Sequence, residues 1–95
     1  MSPSLETLRR QVEAPMRQHG VLHAGVFGSV ARGDARPDSD VDFLVEFEHG
    51  RSLLDLVGLQ VELREALGRD VDVATRNSLH PRLRDRILRE VVPLL

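Results

Sequence analysis

Cysteine, lysine, tryptophan and tyrosine are all absent from this sequence of 95 residues. Without cysteine the chain can form no disulfide bond, thiolate metal site or cysteine nucleophile, which fits a reducing cytosol. Its aromatic residues are three phenylalanines, so few rings are available to stack with nucleic-acid bases. Together with a net charge of -2, this composition argues against a protein that binds nucleic acid by bulk electrostatic attraction.

Long apolar runs are also missing, so the sequence predicts neither a signal peptide nor a membrane-spanning helix. Charged residues such as Glu6, Arg9 and Glu13 interrupt the N-terminal region. We therefore expect a cytoplasmic protein that has no membrane partner. A composition of 41% hydrophobic and 29% charged residues is typical of a globular chain, and the length predicts one domain over residues 1–95.

Three segments with apolar residues at spacings of three or four predict amphipathic helices. They extend from Ser4 to Gly20, from Ser52 to Leu67, and onward from Pro81. Pro15 is unfavourable in the second half of the first helix, because proline lacks a backbone N–H. The predicted apolar stripes are Leu5, Leu8, Val12 and Met16; Leu53, Leu56, Leu59, Leu63 and Leu67, widened by Leu54, Val57 and Val61; and Leu83, Ile87 and Val91.

Three shorter segments predict β-strands, at residues 21–28, 40–47 and 70–75. In the second, apolar and polar residues alternate, which gives the strand one strongly apolar face. Before it, the Gly28–Ser29 step predicts a turn or a short helix. The order helix, strand, short helix, strand, helix, strand, helix predicts an α/β (α+β) fold in which helices pack on a small mixed sheet. The first two strands are expected to be antiparallel neighbours, whereas the helical crossover predicts that the second and third are parallel.

Three aspartates are the strongest candidates for a functional site. Asp40 and Asp42 share one face of the second strand, and Asp72 occupies the equivalent place on the third, where it could meet them across the sheet. Gathered carboxylates repel one another, and no arginine lies on either acidic strand to compensate. A divalent cation is the simplest remedy. Oxygen-only ligation suits Mg²⁺, which completes its shell with water and substrate phosphates.

The Gly28–Ser29 step supports phosphate chemistry, because glycine lets the backbone approach a phosphate while amides and a hydroxyl donate to its oxygens. Taken alone, this step also fits an ordinary turn, the acidic pair fits a solvated strand face, and Arg32 fits a solubilising loop charge. Their joint occurrence, in order and between predicted strands, favours a site that binds a phosphorylated ligand.

The stretch GSVARG at residues 28–33, followed by SDVD at residues 39–42 and a third aspartate on a later strand, resembles the minimal nucleotidyltransferases of the DNA-polymerase-β-type superfamily. The resemblance implies a nucleotidyltransferase fold in which Gly28 and Ser29 hold a nucleoside triphosphate. It also implies that Asp40 and Asp42 hold two Mg²⁺ ions and that Asp72 shares a metal and helps to activate the acceptor hydroxyl. Arg32 could counter triphosphate charge or pack under the loop.

Larger members of that superfamily carry further domains that recognise the acceptor, so the resemblance implies that a partner supplies the acceptor here. Minimal members are similar to the antitoxin of bacterial toxin–antitoxin pairs whose toxin is an all-helical HEPN ribonuclease. This similarity implies transfer of AMP from ATP to a tyrosine of the toxin. Two alternatives stay open: a scaffold that neutralises the toxin by binding alone, and a transferase for a small molecule such as an aminoglycoside. Arginines in the last helix fit either a solvated side or a partner surface: Arg82, Arg84, Arg86 and Arg89.

Overall fold

The computed structural model describes residues 4–95. Its elements are α1 (Leu5–Gln18), β1 (Val21–Phe27), α2 (Ser29–Arg32), β2 (Val41–Phe47), α3 (Leu53–Leu67), β3 (Val71–Thr75), a 3₁₀ turn (Arg76–Ser78), α4 (Pro81–Glu90) and β4 (Val92–Pro93). The predicted order of helices and strands is confirmed, and β4 is an addition that the sequence pattern did not predict. No helix in the described range is long and apolar enough to cross a membrane.

The strands form one mixed sheet in the order β3-β2-β1-β4. β1 and β2 are antiparallel, and β2 and β3 are parallel, as predicted. The short β4 pairs antiparallel with the free edge of β1, where Val26 faces Val92. The predicted fold class, a small mixed sheet packed with helices, is therefore confirmed.

The core lies between one face of the sheet and two helices. Alternate residues of β2 are buried on this face, with Phe43 at its centre. They pack with fully buried residues of α1 and α3, namely Leu8, Val12, Met16, Leu59 and Leu63. The other face of β2 carries Asp42, Leu44 and Glu46, because successive side chains of a strand point to opposite sides. Thus one face of the sheet stabilises the fold, and the opposite face presents polar groups.

α1 continues through Pro15 and ends at Gln18. The proline lies in the last turns of the helix, so it removes only the donor that the Gln11 carbonyl would normally meet. Met16, the next residue, is fully buried against the core. Packing of the helix therefore outweighs the local disadvantage of proline.

The apolar stripe predicted on α3 is only partly buried: Leu59 and Leu63 are in the core. Leu53, Leu54, Val57 and Val61 are all exposed, with Leu54 at 82%. The helix meets α1 and the sheet through the side that carries Leu59 and Leu63. The four exposed residues lie about 100° to 180° around the helix from that side, where no other element of residues 4–95 covers them.

The prediction for the end of the last helix is wrong. α4 stops at Glu90, and Val91 adopts an extended conformation rather than a helical one. Val92 precedes Pro93, and the residue before a proline is disfavoured in the helical region. Leu83, predicted to lie on the apolar face of this helix, is 48% exposed. Ile87 is partly buried, so α4 covers the fold less fully than its pattern suggested.

Candidate active site

Asp42 and Asp72 are register partners on the adjacent parallel strands β2 and β3. Neighbouring strands lie about 4.8 Å apart, so the two side chains emerge next to each other on the polar face of the sheet. Asp40 lies two residues before Asp42 and is exposed, as is Asp72, whereas Asp42 is partly buried. The expected meeting of the two acidic strands is therefore present.

Electrostatics single out Asp42 within this group. The pKa of its carboxyl group is raised to about 6, mainly by burial and then by the negative charges of Asp72 and Asp40. Arg32 acts in the opposite direction but does not cancel them. Ionisation of a carboxylate that is both desolvated and surrounded by like charges is unfavourable. A nearby cation would stabilise the ionised form.

The donor set fits Mg²⁺ in its chemistry, since Asp40, Asp42 and Asp72 offer only oxygen ligands. Within residues 4–95, no three histidine, aspartate or glutamate side chains are grouped closely enough to hold a metal ion as they stand. Mutual repulsion keeps like-charged carboxylates apart in the absence of a cation. The three aspartates thus provide suitable ligand atoms, but their side chains would have to move closer together to bind one ion.

Gly28 connects the carboxylates to the turn that follows β1. Its φ of 71° and ψ of -146° lie in a region that residues other than glycine rarely adopt. A Cβ atom at this position would also overlap the carboxylate of Asp42. Ser29, the next residue, opens the short helix α2. The Gly28–Ser29 step therefore lies directly against Asp42.

Arg32, at the end of α2, is engaged by two acidic residues. Its Nη1 donates to Oε1 of Glu90 at 2.6 Å, and its Nε donates to Oδ2 of Asp34 at 3.4 Å. The hydrogen bond to Glu90 is the main reason that the pKa of Arg32 is raised. Since these acids already balance its charge, the suggestion that Arg32 counters triphosphate charge stays a prediction.

Glu90 was not recognised from the sequence. It is the last residue of α4, where the helix dipole favours cations and an acid is out of place. Its side chain is 17% exposed and adds to the negative potential that raises the pKa of Asp42. An acid at a helix C-terminus is the signal that could have identified it.

Arg69 was also not predicted from the sequence to belong to the site. Its Nη2 donates to the carbonyl oxygens of Arg36, at 2.9 Å, and Ser39, at 2.6 Å. The Ser39 hydroxyl in turn accepts from the backbone N–H of Arg36 at 2.8 Å. These bonds tie the loop that leads into Asp40 to the start of β3. No local pattern distinguishes this arginine, because both of its acceptors are distant backbone groups.

A groove of about 350 Å³ opens on the same face of the sheet, and its lining includes Gly25, Leu44, Arg76, Leu88 and Val91. Leu44 is the next residue after Asp42 on that face of β2. The groove therefore extends from Leu44 toward α4, and none of the three aspartates lines it.

A glycine turn against paired carboxylates on a mixed sheet is the arrangement that a known family uses. The family model described as "Nucleotidyltransferase domain" matches residues 6–94. The chain belongs to the nucleotidyltransferase family. The predicted family and enzyme class are confirmed by this match and by the names of its relatives.

Two relatives of this nucleotidyltransferase are named as protein adenylyltransferases. A Methanocaldococcus jannaschii protein, provisionally named protein adenylyltransferase MJ0435, is 50% identical over 92 residues, which covers 97% of this chain and 99% of the relative. Protein adenylyltransferase MntA of Thermococcus cleftensis is 48% identical over 73 residues, which covers 77% of this chain and 74% of the relative.

Solved structures share the fold of this nucleotidyltransferase. One, provisionally described as a minimal nucleotidyltransferase, has a TM-score of 0.80 at 50% identity and covers 98% of this chain and 96% of that chain. A chain of a toxin–antitoxin complex with AMP-PNP has a TM-score of 0.78 at 21% identity, over 92% of this chain and 72% of that one. A chain from the structure of a tri-AMPylated Shewanella oneidensis HEPN toxin in complex with MNT antitoxin has a TM-score of 0.73 at 18% identity. The match covers 97% of this chain and 72% of that chain. At the two lower identities, the likeness concerns the fold.

Proposed function

We propose that this chain transfers AMP from ATP to a hydroxyl group of a protein partner. The partner is a helical HEPN-type toxin, the acceptor is one of its tyrosines, and the modification silences the toxin, so that the chain acts as an antitoxin. Residues 1–95 serve as a single minimal nucleotidyltransferase domain. The observation that carries this proposal is the pairing of Asp42 with Asp72 beside the turn at Gly28.

The names of the relatives support AMP as the transferred group, and the AMP-PNP complex of the same fold supports ATP as the donor. The tri-AMPylated HEPN toxin in another complex of this fold supports a toxin as the acceptor. We place the activity in the cytoplasm, where ATP is abundant.

The reaction is an in-line displacement at the α-phosphorus of ATP. The acceptor oxygen forms a bond to this phosphorus, the bond from phosphorus to the α,β-bridging oxygen breaks, and pyrophosphate leaves with the electron pair. Asp72, the exposed member of the pair, receives the hydroxyl proton. Gly28 and Ser29 bind the triphosphate through backbone amides and the serine hydroxyl.

Asp40, Asp42 and Asp72 would hold two Mg²⁺ ions, which supply positive charge that stabilises the attacking and leaving oxygens. Asp42 is the partly buried member of this group, and a cation beside it would offset the burial and the like charges that raise its pKa. Arg69 keeps Asp40 in place through the preceding loop.

The test is intact-mass spectrometry of the cognate HEPN-type toxin after incubation with this chain, ATP and Mg²⁺. Wild-type chain should add one or more AMP units to the toxin and suppress its ribonuclease activity. Asp72→Asn should still bind the toxin yet transfer no AMP, because it lacks the proton acceptor. Asp70→Asn, two residues earlier and outside the Asp42 pair, is the matched control and should transfer AMP normally.

Two results would contradict the proposal. Unmodified toxin in the wild-type reaction, combined with full suppression of the ribonuclease by Asp72→Asn, would leave a scaffold that acts by binding alone. AMP transfer to an aminoglycoside in the absence of any toxin would instead identify a small-molecule transferase.

A further inference from the structure

Glu90 is an acid at a position where three separate effects disfavour its negative charge. It ends α4, where the helix dipole favours cations. Its side chain is 17% exposed, so the carboxylate has lost much of its hydration. The carboxylate also lies close enough to Asp42 for the two negative charges to act on each other. A neutral residue would avoid all three effects, so this acid needs a reason other than the stability of α4.

Arg32 supplies that reason. Among residues 4–95 it is the only cation at ion-pair distance from Glu90, and the two side chains meet at 2.6 Å although 58 positions separate them. Arg32 does not need this pair for its own solvation, since its side chain is 48% exposed and its Nε also donates to Asp34. The pair therefore does more to fix the position of Arg32 than to compensate its charge.

Arg32 is joined directly to the turn at Gly28. Its backbone N–H donates to the Gly28 carbonyl oxygen at 3.1 Å, the bond that spans α2. A helix of four residues is marginal on its own and depends on contacts with the rest of the fold. The ion pair with Glu90 is such a contact, at the C-terminal end of α2. Without it, α2 and the Gly28–Ser29 step could move relative to Asp42.

The backbone beyond Glu90 holds the other side of the same turn. β4 pairs with β1 shortly before Gly28, and the N–H of Leu94 donates to the Ala24 carbonyl oxygen at 2.8 Å. Leu94 is buried in the core. Glu90 therefore projects from a backbone that is anchored on β1, and the C-terminal segment contacts the chain both before and after the turn.

We infer that Glu90, through Arg32, holds α2 in place and so positions the triphosphate-binding turn beside Asp42. This inference rests on the proposed function, which assigns the Gly28–Ser29 step to the triphosphate. Positioning and simple electrostatics have effects of opposite sign here. If Glu90 contributed only negative charge, its removal would strengthen binding of a triphosphate, which stays negative with Mg²⁺ bound. If Glu90 positions the turn, its removal weakens that binding.

The experiment measures binding of AMP-PNP with Mg²⁺ by isothermal titration calorimetry in wild type and four variants. Glu90→Gln removes the charge with little change in size, and Arg32→Gln and the double variant test whether Glu90 acts through the arginine. Glu48→Gln is the matched control, because Glu48 forms an ion pair of similar length, 2.7 Å to Arg51, at the opposite end of β2 from Asp42. Amide hydrogen exchange and thermal unfolding are followed in the nucleotide-free proteins.

Glu90→Gln should bind AMP-PNP about tenfold more weakly than wild type, as expected for loss of a hydrogen bond between charged groups. Its amides at residues 29–34 should exchange faster. It should unfold at the same or a higher temperature, because no charge remains there for the helix dipole and the nearby carboxylates to oppose. A merely structural residue would instead lower affinity and stability together. Glu48→Gln should match wild type in affinity and in exchange at residues 29–34.

The double variant should bind AMP-PNP no more weakly than Arg32→Gln alone, because Glu90 acts through that arginine. Additive losses of affinity would overturn the inference. So would unchanged or tighter binding of AMP-PNP by Glu90→Gln.

Failure of the proposed function would give a different pattern. If Glu90→Gln weakens AMP-PNP binding but wild type adds no AMP to the toxin, the positioning role stands and the proposed transferase function fails. If wild type does not bind AMP-PNP at all, exchange at residues 29–34 decides the matter. Faster exchange in Glu90→Gln would then support its hold on α2, and equal exchange would overturn it.

Discussion

Gly28 and Asp42 approach so closely that a methyl group on the glycine would overlap the aspartate carboxylate. The contact joins the end of β1 to the polar face of β2, where Phe27 and Asp42 are register partners. It explains why this turn requires glycine for two independent reasons, backbone conformation and space.

Gly28→Ala should therefore damage both stability and the site. The positive φ and the displaced carboxylate together should lower the free energy of unfolding by about 2 to 4 kcal/mol. Chemical denaturation would measure this loss, and ATP binding of the remaining folded protein would measure the damage to the site.

Gly33→Ala is the matched control for that substitution. Gly33 also has a positive φ, of 79°, but a Cβ atom there would meet nothing within 4 Å. Gly33→Ala should lower the free energy of unfolding by only about 1 kcal/mol and leave ATP binding unchanged. Similar ATP affinities for the two variants would show that the space beside Asp42 is irrelevant to the nucleotide.

Asp42→Asn should stabilise the metal-free protein at neutral pH. The pKa of Asp42 is raised to about 6 in the folded state, above its ordinary value of about 3.9 in an unfolded chain. Between these values the folded state binds more protons, so wild-type stability falls as pH rises. The variant lacks this loss. Above about pH 7 its free energy of unfolding should exceed that of wild type by on the order of 1 kcal/mol, after allowance for the partial exposure of Asp42.

Thermal unfolding in EDTA across the pH range would measure that difference. It should vanish below about pH 3, where wild-type Asp42 is protonated in both the folded and the unfolded state. Asp38→Asn, an exposed loop substitution, is the control for the general effect of removing one carboxylate. A wild-type protein at least as stable as Asp42→Asn at neutral pH would mean that the charge of Asp42 is not strained.

Arg69→Met should impair the site more than the fold. The variant keeps apolar bulk but loses both hydrogen bonds to the loop before Asp40. We expect the Mg²⁺ concentration for half-maximal AMP transfer to rise about tenfold, since each bond contributes about 1 kcal/mol to holding the loop. Faster amide hydrogen exchange at residues 36–40 should accompany this change.

Arg64→Met is a suitable control for Arg69→Met. Both arginines line one surface cavity, and Arg64 is exposed. It should leave both the Mg²⁺ requirement and amide exchange unchanged. Normal exchange and a normal Mg²⁺ requirement in Arg69→Met would remove Arg69 from any positioning role.

Ser29→Ala should weaken ATP binding without abolishing it. The hydroxyl is expected to supply one hydrogen bond to the triphosphate, so its removal should cost about 1 kcal/mol, or roughly fivefold in affinity. Isothermal titration calorimetry with AMP-PNP and Mg²⁺ would measure the change. An unaltered affinity would exclude Ser29 from the nucleotide site.

Local patterns could predict most elements because each depends on nearby residues. The alternation in residues 41–47 places the side chains of β2 on two faces whatever its neighbours are, and the Gly28–Ser29 step limits the backbone locally. The pairing of Asp42 with Asp72 followed from adjacent parallel strands, which a helical crossover produces.

The sequence by itself determined the order of elements apart from β4, the mixed sheet and the acidic face with its glycine turn, since strand alternation and crossover geometry need no knowledge of distant contacts. Only the tertiary structure decided which apolar residues of α3 are covered, because a helix cannot encode how much of its surface a partner element reaches. It also decided the Arg32–Glu90 ion pair, between residues 58 positions apart, and the hydrogen bonds from Arg69 to the loop before Asp40. Such contacts depend on the path of the whole chain and on backbone acceptors that every residue shares, so no local pattern predicts them.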